Sequence, residues 1–382
     1  MKRRDFLAAA AAGIALPRAA LAQSTYQRLL ILVELKGGND GLNTVVPYAD
    51  PAYAQLRPRI GVKRDEVLQL DGRTGLHPSL KPLMDLWQGR ELAVVQGLGY
   101  PQPNLSHFRS IEIWDTASRS DQYLADGWLA RAFASQPVPA RYAADGIVVG
   151  GSDMGPLAGP RSRVVVLADP EQFLRQARFG GTGAPMAGSA QNAALAHVLK
   201  VEADIRNAAS QLGSTTTFRS EFPRNAFGNA VRVAAQVAAN PNGAAAIRLS
   251  LGGFDTHQGQ PVVHARLLGE LAEGLVALKA ALVEVNRWDS TLVMTYAEFG
   301  RRPQENSTNG TDHGTAAAHF VAGGRVKGGL YGAPPELAAL EGGNLRHALD
   351  FRSLYATVLG RWWGVSTAGM GGRFEPLDLL RA

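Results

Sequence analysis

Residues 29–43 read LLILVELKGGNDGLN, and this stretch decides the fold. Its first part, Leu29–Leu35, is an almost wholly apolar run of the length that a strand buried on both faces requires. Two glycines and Asp40 follow within five residues. Because glycine permits a tight backbone path, the pattern predicts a core strand that delivers a carboxylate at its carboxyl end. The alternative interpretation is a simple turn at this point.

Further apolar runs alternate along the chain with helical patterns. The other strand candidates are Leu92–Val95, Ile147–Val149, Val164–Leu167, Ala245–Leu251 and Thr291–Thr295. The helical candidates are Pro78–Gln88, Ala190–Leu212, Arg224–Ala239 and the stretch from His264 to Asn286. This alternation predicts an α/β fold with a mostly parallel sheet and helices on both faces.

The first residues are predicted to be an export signal. A basic segment precedes an apolar stretch from Phe6 to Leu16, and Ala20-Leu21-Ala22 is a signal-peptidase pattern. The pair Arg3-Arg4 indicates a twin-arginine signal over residues 1–22, which makes the twin-arginine translocase a partner and the mature protein periplasmic or secreted. An ordinary Sec signal and an uncleaved anchor are the alternatives. No apolar stretch is long enough for a stable membrane span.

The composition predicts one globular domain over residues 23–382. Four basic residues and one acidic residue precede Gln23, so the formal charge is +3 without them and +6 for the whole sequence. That small excess argues against nucleic acid as a partner. The sequence contains no Cys, which excludes disulfides, thiolate metal sites and Cys nucleophiles. The segment 180–185 reads as a surface loop.

Two more predicted strands end in acids and histidines. Ala245–Leu251 leads to Asp255 and His257, and Thr291–Thr295 leads to Glu298 and then, after a polar loop, to His313. Parallel strands gather such residues at one edge of the sheet, where ligands bind. We therefore expect a divalent metal held by Asp40, Asp255, His257, Glu298 and His313. Imidazole with carboxylate suits zinc or manganese, and carboxylates alone suit magnesium. The interpretation of His77, His197, His264 and His347 is structural.

A hydroxyl nucleophile is predicted before the sequence HFRSIEIW, which reads as the start of a helix. Ser106 stands at that start, where backbone N–H groups favour an anion such as a phosphoryl group. Arg109 lies one turn further and is expected to hold a phosphoryl oxygen. The alternative interpretations are that Ser106 is only an N-cap and that Arg109 is a solvated helix residue.

Taken in order, these features resemble the alkaline phosphatase-like superfamily of phosphatases, sulfatases and phosphomutases. The resemblance implies metal-binding roles for Asp40, Asp255, His257, Glu298 and His313, and a nucleophilic role for Ser106. The chain is also identified as a member of domain-of-unknown-function family 1501, a set of exported bacterial proteins. The motifs that carry this second resemblance are GGNDGLNTVVPY, SHFRS, GGFDTH, YAEFGR, TDHGTAAAHF and VKGGLYG.

The sequence departs from the superfamily pattern at two places. Phe299 stands where a metal-binding His is expected, and the usual Asp-x-x-x-His spacing has shrunk to Asp255-Thr256-His257. The predicted function is a metal-dependent hydrolase that acts on small or polymer-borne phosphate esters, and secondarily on sulfate esters, through Ser106. The alternative is a non-catalytic periplasmic binding or assembly protein that keeps the fold.

Overall fold

The structure is a computed structural model that describes residues 26–167 and 216–381. The strands are Leu29–Lys36 (β1), Val45–Val46 (β2), Leu68–Gln69 (β3), Gly75–Leu76 (β4), Leu92–Gly99 (β5), Ala144–Val149 (β6), Val164–Leu167 (β7), Ala244–Gly252 (β8), Thr291–Tyr296 (β9), Arg301–Glu305 (β10), Thr311–His313 (β11), Ala317–Ala322 (β12), Gly329–Tyr331 (β13) and Leu349–Asp350 (β14). The predicted signal peptide, the segment 180–185 and the candidate helix Ala190–Leu212 lie outside the described residues.

The α-helices alternate with these strands. They are Gly41–Thr44 (α1), Pro51–Leu56 (α2), Met84–Gln88 (α3), His107–Thr116 (α4), Trp128–Ser135 (α5), Ala226–Ala239 (α6), Gln260–Glu284 (α7) and Arg352–Ala356 (α8). No helix among the described residues is long and apolar enough to cross a membrane.

A nine-stranded sheet organises the molecule. Its order is β13-β5-β12-β9-β1-β8-β6-β7, with β14 also paired to β5. β1 lies in the middle and is parallel to both β8 and β9, whereas β12 is antiparallel to β9 and β5. The predicted α/β class with a mostly parallel sheet is therefore confirmed, and each predicted strand is present with similar bounds.

Both faces of the sheet are covered. The side chains of Leu29, Ile31 and Val33 pack into one apolar cluster with residues of α6 and α7, whereas Leu30 and Leu32 pack into a second cluster with residues of α4, α5 and α8. The strict alternation along β1 explains why this strand is apolar at nearly every position: a strand between two helical layers has no solvent face.

The stretch Pro78–Gln88 is not the single helix that its pattern predicts. It forms a 3₁₀ segment over Pro78–Leu83, followed by α3. Pro82 lies inside the 3₁₀ segment and has no backbone N–H to donate, which explains the break.

The direction of the strands gives the sheet two distinct edges. The parallel strands all end at one edge, which we call the carboxyl edge, and all begin at the other, the amino edge. β12 runs in the opposite sense and therefore begins at the carboxyl edge. The loops after β1, β5, β8 and β9, and the hairpin β10–β11 before β12, all gather at the carboxyl edge.

Candidate metal centre

Three histidines and one aspartate converge at the carboxyl edge. The Nε2 atom of His257 lies 3.0 Å from the Nε2 atom of His313 and 3.0 Å from Oδ1 of Asp255. His313 Nε2 is 3.2 Å from the same Asp255 oxygen, and His107 Nε2 is 3.4 Å from its Oδ2. One ligand atom each from His107, Asp255 and His313 fall within 4.8 Å of one another.

The Nδ1 atom of each of the three imidazole rings lies close to an oxygen atom of the protein. His107 Nδ1 is 2.8 Å from Glu298 Oε1, and His313 Nδ1 is 2.8 Å from the backbone oxygen of Leu105. His257 Nδ1 lies 3.4 Å from Asp312 Oδ1. Acceptors at these positions favour the tautomer that carries its proton on Nδ1, so the three Nε2 lone pairs point toward Asp255.

Asp255 is fixed by Arg301, a fully buried side chain on β10. Arg301 Nη2 donates to Asp255 Oδ1 at 2.6 Å, and the same guanidinium donates to the backbone oxygens of Gly37, Gly38, Phe254 and Thr311. Partial burial raises the pKa of Asp255, but the hydrogen bond and charge of Arg301 and the contact with His313 outweigh it and lower the pKa to about 2. The carboxylate is therefore ionised at neutral pH.

The pKa of His313 is lowered, first by partial burial and further by the charge of Arg301. A lowered pKa keeps this imidazole neutral at neutral pH, which is the form that binds a metal. The side chains of His107, His257 and His313 are only partly buried and that of Asp255 is half exposed, so solvent and a substrate reach the cluster.

Asp40 lies apart from this cluster, although the sequence predicts it as a ligand. Its Oδ2 accepts hydrogen bonds from Arg57 Nη1, at 2.6 Å, and from the side-chain amide of Gln260. Its Oδ1 accepts hydrogen bonds from the backbone N–H groups of Leu42 and Asn43 at the start of α1. Burial raises the pKa of Asp40, but the adjacent Arg57 guanidinium outweighs burial and lowers it. The Arg57 guanidinium occupies the position beside Asp40 that a metal cation would take. The Asp40 carboxylate therefore has a structural role.

Glu298 lies behind His107 and is not itself one of the converging atoms. Its Oε1 accepts from the backbone N–H of Gly37 at 2.9 Å as well as contacting His107, and the side chain is 3% exposed. The structure therefore gives this carboxylate a contact that orients a histidine, whereas the sequence predicts that it binds metal directly. Its second oxygen, Oε2, is buried without a hydrogen-bond partner.

Phe299 forms a wall of the cluster. Its ring centroid lies 4.6 Å from that of His313 and 4.9 Å from that of His107. The aromatic side chain thus restricts the movement of two histidines in the place where the superfamily resemblance implies another ligand.

Ser106 lies beside the cluster, because both of its neighbours contact it: Leu105 through its backbone oxygen and His107 through its ring. Ser106 occupies the N-cap position of α4 but makes no side-chain capping hydrogen bond, and it is exposed. The expectation that Ser106 stands at a helix start is met. The alternative, in which Ser106 is only an N-cap, lacks the side-chain hydrogen bond by which a serine usually caps a helix.

Arg109 points away from the cluster. Its Nη2 donates to the backbone oxygens of Arg119, Ser120 and Gln122, and its Nη1 lies 2.8 Å from Glu112. The guanidinium also stacks on Tyr123, 3.8 Å from the ring centroid. These partners hold the side chain against the loop that follows α4, so the structure does not place Arg109 where the predicted contact with a phosphoryl oxygen requires it.

The sequence interpretation missed His107. It stands next to the predicted nucleophile in SHFRS, and the only signal was that it begins a helix at the carboxyl edge. Its partner Glu298 follows a different strand, and only the sheet order brings the two side chains together.

Together, His107, Asp255 and His313 offer three ligand atoms that could hold one metal ion, and His257 lies beside them, 3.0 Å from His313 and from Asp255. Ligand bonds of about 2.0–2.2 Å, as zinc makes with nitrogen and oxygen, place neighbouring ligand atoms about 3.3 Å apart. The separations between the His257 and His313 Nε2 atoms, and between each histidine Nε2 and an Asp255 oxygen, lie between 3.0 and 3.4 Å and agree with that spacing. A donor set of three imidazoles and one carboxylate favours zinc over magnesium or calcium.

Comparison with known proteins gives a family and a set of distant structural likenesses. Residues 73–371 match the family described as "Protein of unknown function (DUF1501)". No curated protein matches the sequence.

Three solved structures show the likeness in fold. The structure of Ps i-CgsB is 10% identical, with a TM-score of 0.45 over 90% of this chain and 74% of that one. The phosphonate monoester hydrolase SpPMH from Silicibacter pomeroyi is 13% identical, with a TM-score of 0.44 over 92% and 76%. The PsFucS1 sulfatase from Pseudoalteromonas sp. is 12% identical, with a TM-score of 0.42 over 94% and 74%. Similarity this distant carries no information on the substrate of this chain.

Proposed function

We propose that this chain, which belongs to the DUF1501 family, is a metal-dependent hydrolase of phosphate esters, with sulfate esters as the second substrate class. The observation that carries the proposal is the convergence of His107, His257 and His313 on the Asp255 carboxylate, each ring held at Nδ1 by a protein acceptor. Imidazoles that surround a carboxylate and are each oriented through the second ring nitrogen are typical of a zinc ligand set, and three protein ligands would leave one coordination position for a substrate.

Ser106 supplies the nucleophile in this proposal. Its hydroxyl is exposed, free of a capping bond and flanked by two residues that contact the cluster. His107, Asp255 and His313 would hold a divalent ion, which would supply Lewis-acid chemistry to a phosphoryl oxygen and to a nearby hydroxyl. The Ser106 oxygen then bonds to phosphorus while the bond to the alcohol oxygen breaks and the alcohol leaves with a proton.

Water completes the reaction by cleaving the phosphoseryl bond and returning the proton to Ser106. The first turn of α4 stabilises the phosphoryl oxygens, because its backbone N–H groups have no partners within the helix and its dipole is positive at this end. This role replaces the one that the sequence assigns to Arg109. Phe299 and the rings that it contacts limit the cluster to one compact metal site.

The test combines metal analysis with hydrolysis of an aryl phosphate and an aryl sulfate. We expect about one zinc per chain, loss of turnover on chelation, and loss of turnover without loss of zinc in Ser106→Ala. The matched control is Ser366→Ala, an exposed serine in the C-terminal part of the chain, which we expect to retain activity. Bound zinc with no turnover above the Ser106→Ala background would favour the non-catalytic alternative.

We also propose export through the twin-arginine translocase to the periplasm or beyond, supported by the Arg3-Arg4 pair before an apolar stretch. A twin-arginine receptor distinguishes guanidinium from ammonium, whereas Sec export requires only positive charge. Replacing Arg3 and Arg4 by Lys should therefore leave unprocessed precursor inside the cell. Normal export of that variant would assign the signal to the Sec pathway.

A further inference from the structure

A cleft of about 540 Å³ lies at the amino edge of the sheet, opposite the metal centre. The residues that line the cleft come directly before β1, β6, β8 and β9 or directly after β12. All five of these strand ends lie at the amino edge. Strands of eight residues at about 3.3 Å per residue separate the two edges by about 25 Å. The cleft is therefore distinct from the site proposed for hydrolysis.

Arginines dominate this cleft. Those that line it are Arg28, Arg141, Arg287 and Arg325, and Asp289 is the single carboxylate among the described lining residues. Arg28, Arg287 and Arg325 have no ion-pair partner among the residues that the structure describes. Arg28, Arg287 and Arg325 thus bring three positive charges to one cleft, and Asp289 is the one described carboxylate beside them.

Two of the arginines are held in place by main-chain oxygens. Arg28 Nη1 donates to the oxygen of Trp362 at 3.2 Å and its guanidinium lies 5.1 Å from the Trp362 ring centroid. Arg287 Nε donates to the oxygen of Ala238 at 3.1 Å. Neutral acceptors fix the geometry of these groups but leave their charge uncompensated, so the guanidiniums are positioned in advance for an anion.

The arginines are also close enough to affect one another. Burial, and then the neighbouring charge of Arg325, lower the pKa of Arg28, and burial lowers the pKa of Arg287. Holding like charges together costs free energy, and an anion bound between them recovers that cost. Asn242 and Asn286 also line the cleft and add amide donors, which suit the oxygens of a phosphate or sulfate.

We propose that this cleft binds a small polyanion that carries two or more phosphate or sulfate groups. Its volume is in the range of small-molecule sites, and the planar guanidinium forks match tetrahedral oxyanions, which they bind through paired hydrogen bonds. A single carboxylate ligand would leave most of the positive charge uncompensated. The proposal does not depend on the hydrolase activity.

The test is calorimetric titration of the full mature protein with tripolyphosphate and with sucrose octasulfate, in the presence of chelator so that metal does not contribute. We expect binding of at least one probe, weakened as salt increases. The double variant Arg141→Gln/Arg325→Gln should raise Kd about tenfold or more, because two charge-assisted contacts are lost. These two side chains are chosen because both line the cleft.

The matched control is Arg64→Gln/Arg373→Gln, which removes the same charge from two exposed arginines outside the cleft. It should leave Kd within about twofold of the wild type. The variant Asp289→Asn should tighten binding, since it removes the one negative charge. No binding of either probe, or equal weakening in the two double variants, would overturn the proposal. Asp255→Asn should leave this binding unchanged, which separates it from the metal centre.

Discussion

At the scale of single residues, the carboxylate of Glu298 acts through another side chain. It contacts Nδ1 of His107 and leaves Nε2 free to face Asp255. The sequence correctly predicted that Glu298 lies at the carboxyl edge of the sheet, after β9. The sequence predicted direct contact between Glu298 and a metal, because the position of His107, which comes from a distant part of the chain, could not be read from it.

Glu298→Gln tests this role while keeping an oxygen acceptor in the same place. The neutral amide makes His107 less basic, so we expect zinc affinity to fall about 10–100-fold in a competition assay with a chelator. The matched control is Glu305→Gln, which removes a carboxylate that binds Arg59 and Ile60 at the same edge but contacts no histidine. Equal zinc affinity in the two variants would exclude the orienting role.

Asp40→Asn separates the structural role of that residue from the predicted metal-binding one. Asparagine still caps α1, but the buried Arg57 loses its counter-ion, at a cost of about 3–5 kcal/mol of unfolding free energy. We expect the zinc content to stay unchanged. Asp50→Asn is the control, since Asp50 caps α2 without an arginine partner and should cost little. Loss of zinc with unchanged stability would restore Asp40 as a ligand.

At the scale of elements, the junction after β1 depends on close backbone contact with the loop after β8. Gly37 has a φ of 114°, and a Cβ atom there would lie 2.4 Å from the backbone nitrogen of Asp255. The same turn brings the oxygens of Gly37 and Gly38 to Arg301. The glycines that signalled a tight path in the sequence therefore hold the metal-binding loop against the strand end.

Gly37→Ala should lower the unfolding free energy by about 2–4 kcal/mol, from backbone strain and overpacking together, and should also lower the zinc content. The displaced loop carries Asp255, so stability and metal binding should change together. Gly252→Ala, at the end of β8, is the control: a Cβ there meets nothing within 4 Å. Chemical denaturation and elemental analysis of the two variants give the comparison.

The strands of the sheet could be predicted from the sequence because apolar runs report burial directly. β1 and β8 are recognisable for that reason. β12 was missed, since its sequence AAHFVA is short and contains a histidine, and only pairing with β5 and β9 shows that it is a strand. The break at Met84 was missed because the helical period continues through Pro82, and periodicity does not reveal a lost N–H donor.

At the scale of the whole molecule, buried neutral histidines make stability depend on pH. Burial lowers the pKa of His264 to about 3 and that of His319 to about 3. In the unfolded chain these rings take up protons below pH 6.5, whereas in the folded protein they stay neutral until about pH 3. Their contribution is therefore complete above pH 6.5 and is lost as the pH falls toward 3.

As the pH falls through that window, each of these two histidines lowers the unfolding free energy by about 1.4 kcal/mol per pH unit. Burial raises the pKa of Asp115, and this group makes the protein more stable as the pH falls. The dependence of the wild-type unfolding free energy on pH therefore combines two opposite contributions. The difference between wild type and His319→Leu isolates one ring: the variant should lose about 1.4 kcal/mol less per unit. Denaturant unfolding at about pH 5.5 and 4.5, both inside the window, measures this difference, and equal slopes would contradict the assignment.

The candidate site could be predicted only in part. The proximity of Asp255, His257 and His313 could be predicted because acids and histidines follow the predicted strands, and their role as metal ligands stays a prediction. The ion pair that removes Asp40 from the cluster could not be predicted, since Arg57 follows the end of α2 and reaches Asp40 only after folding. Arg109 was assigned by helical position relative to Ser106, but its rotamer is set by the loop that follows α4.

The central position of β1 has a consequence for the order of folding. Its residue Leu30 pairs with Ala246 on one side and Leu292 on the other, so both partners are more than half of the sequence away. A chain released up to residue 240 ends before either partner, and its most apolar strand stays exposed. Because closing such long loops precedes any gain from pairing, folding is expected to be slow and to begin only when synthesis is nearly complete. Until then LLILVEL is the segment that a chaperone must shield.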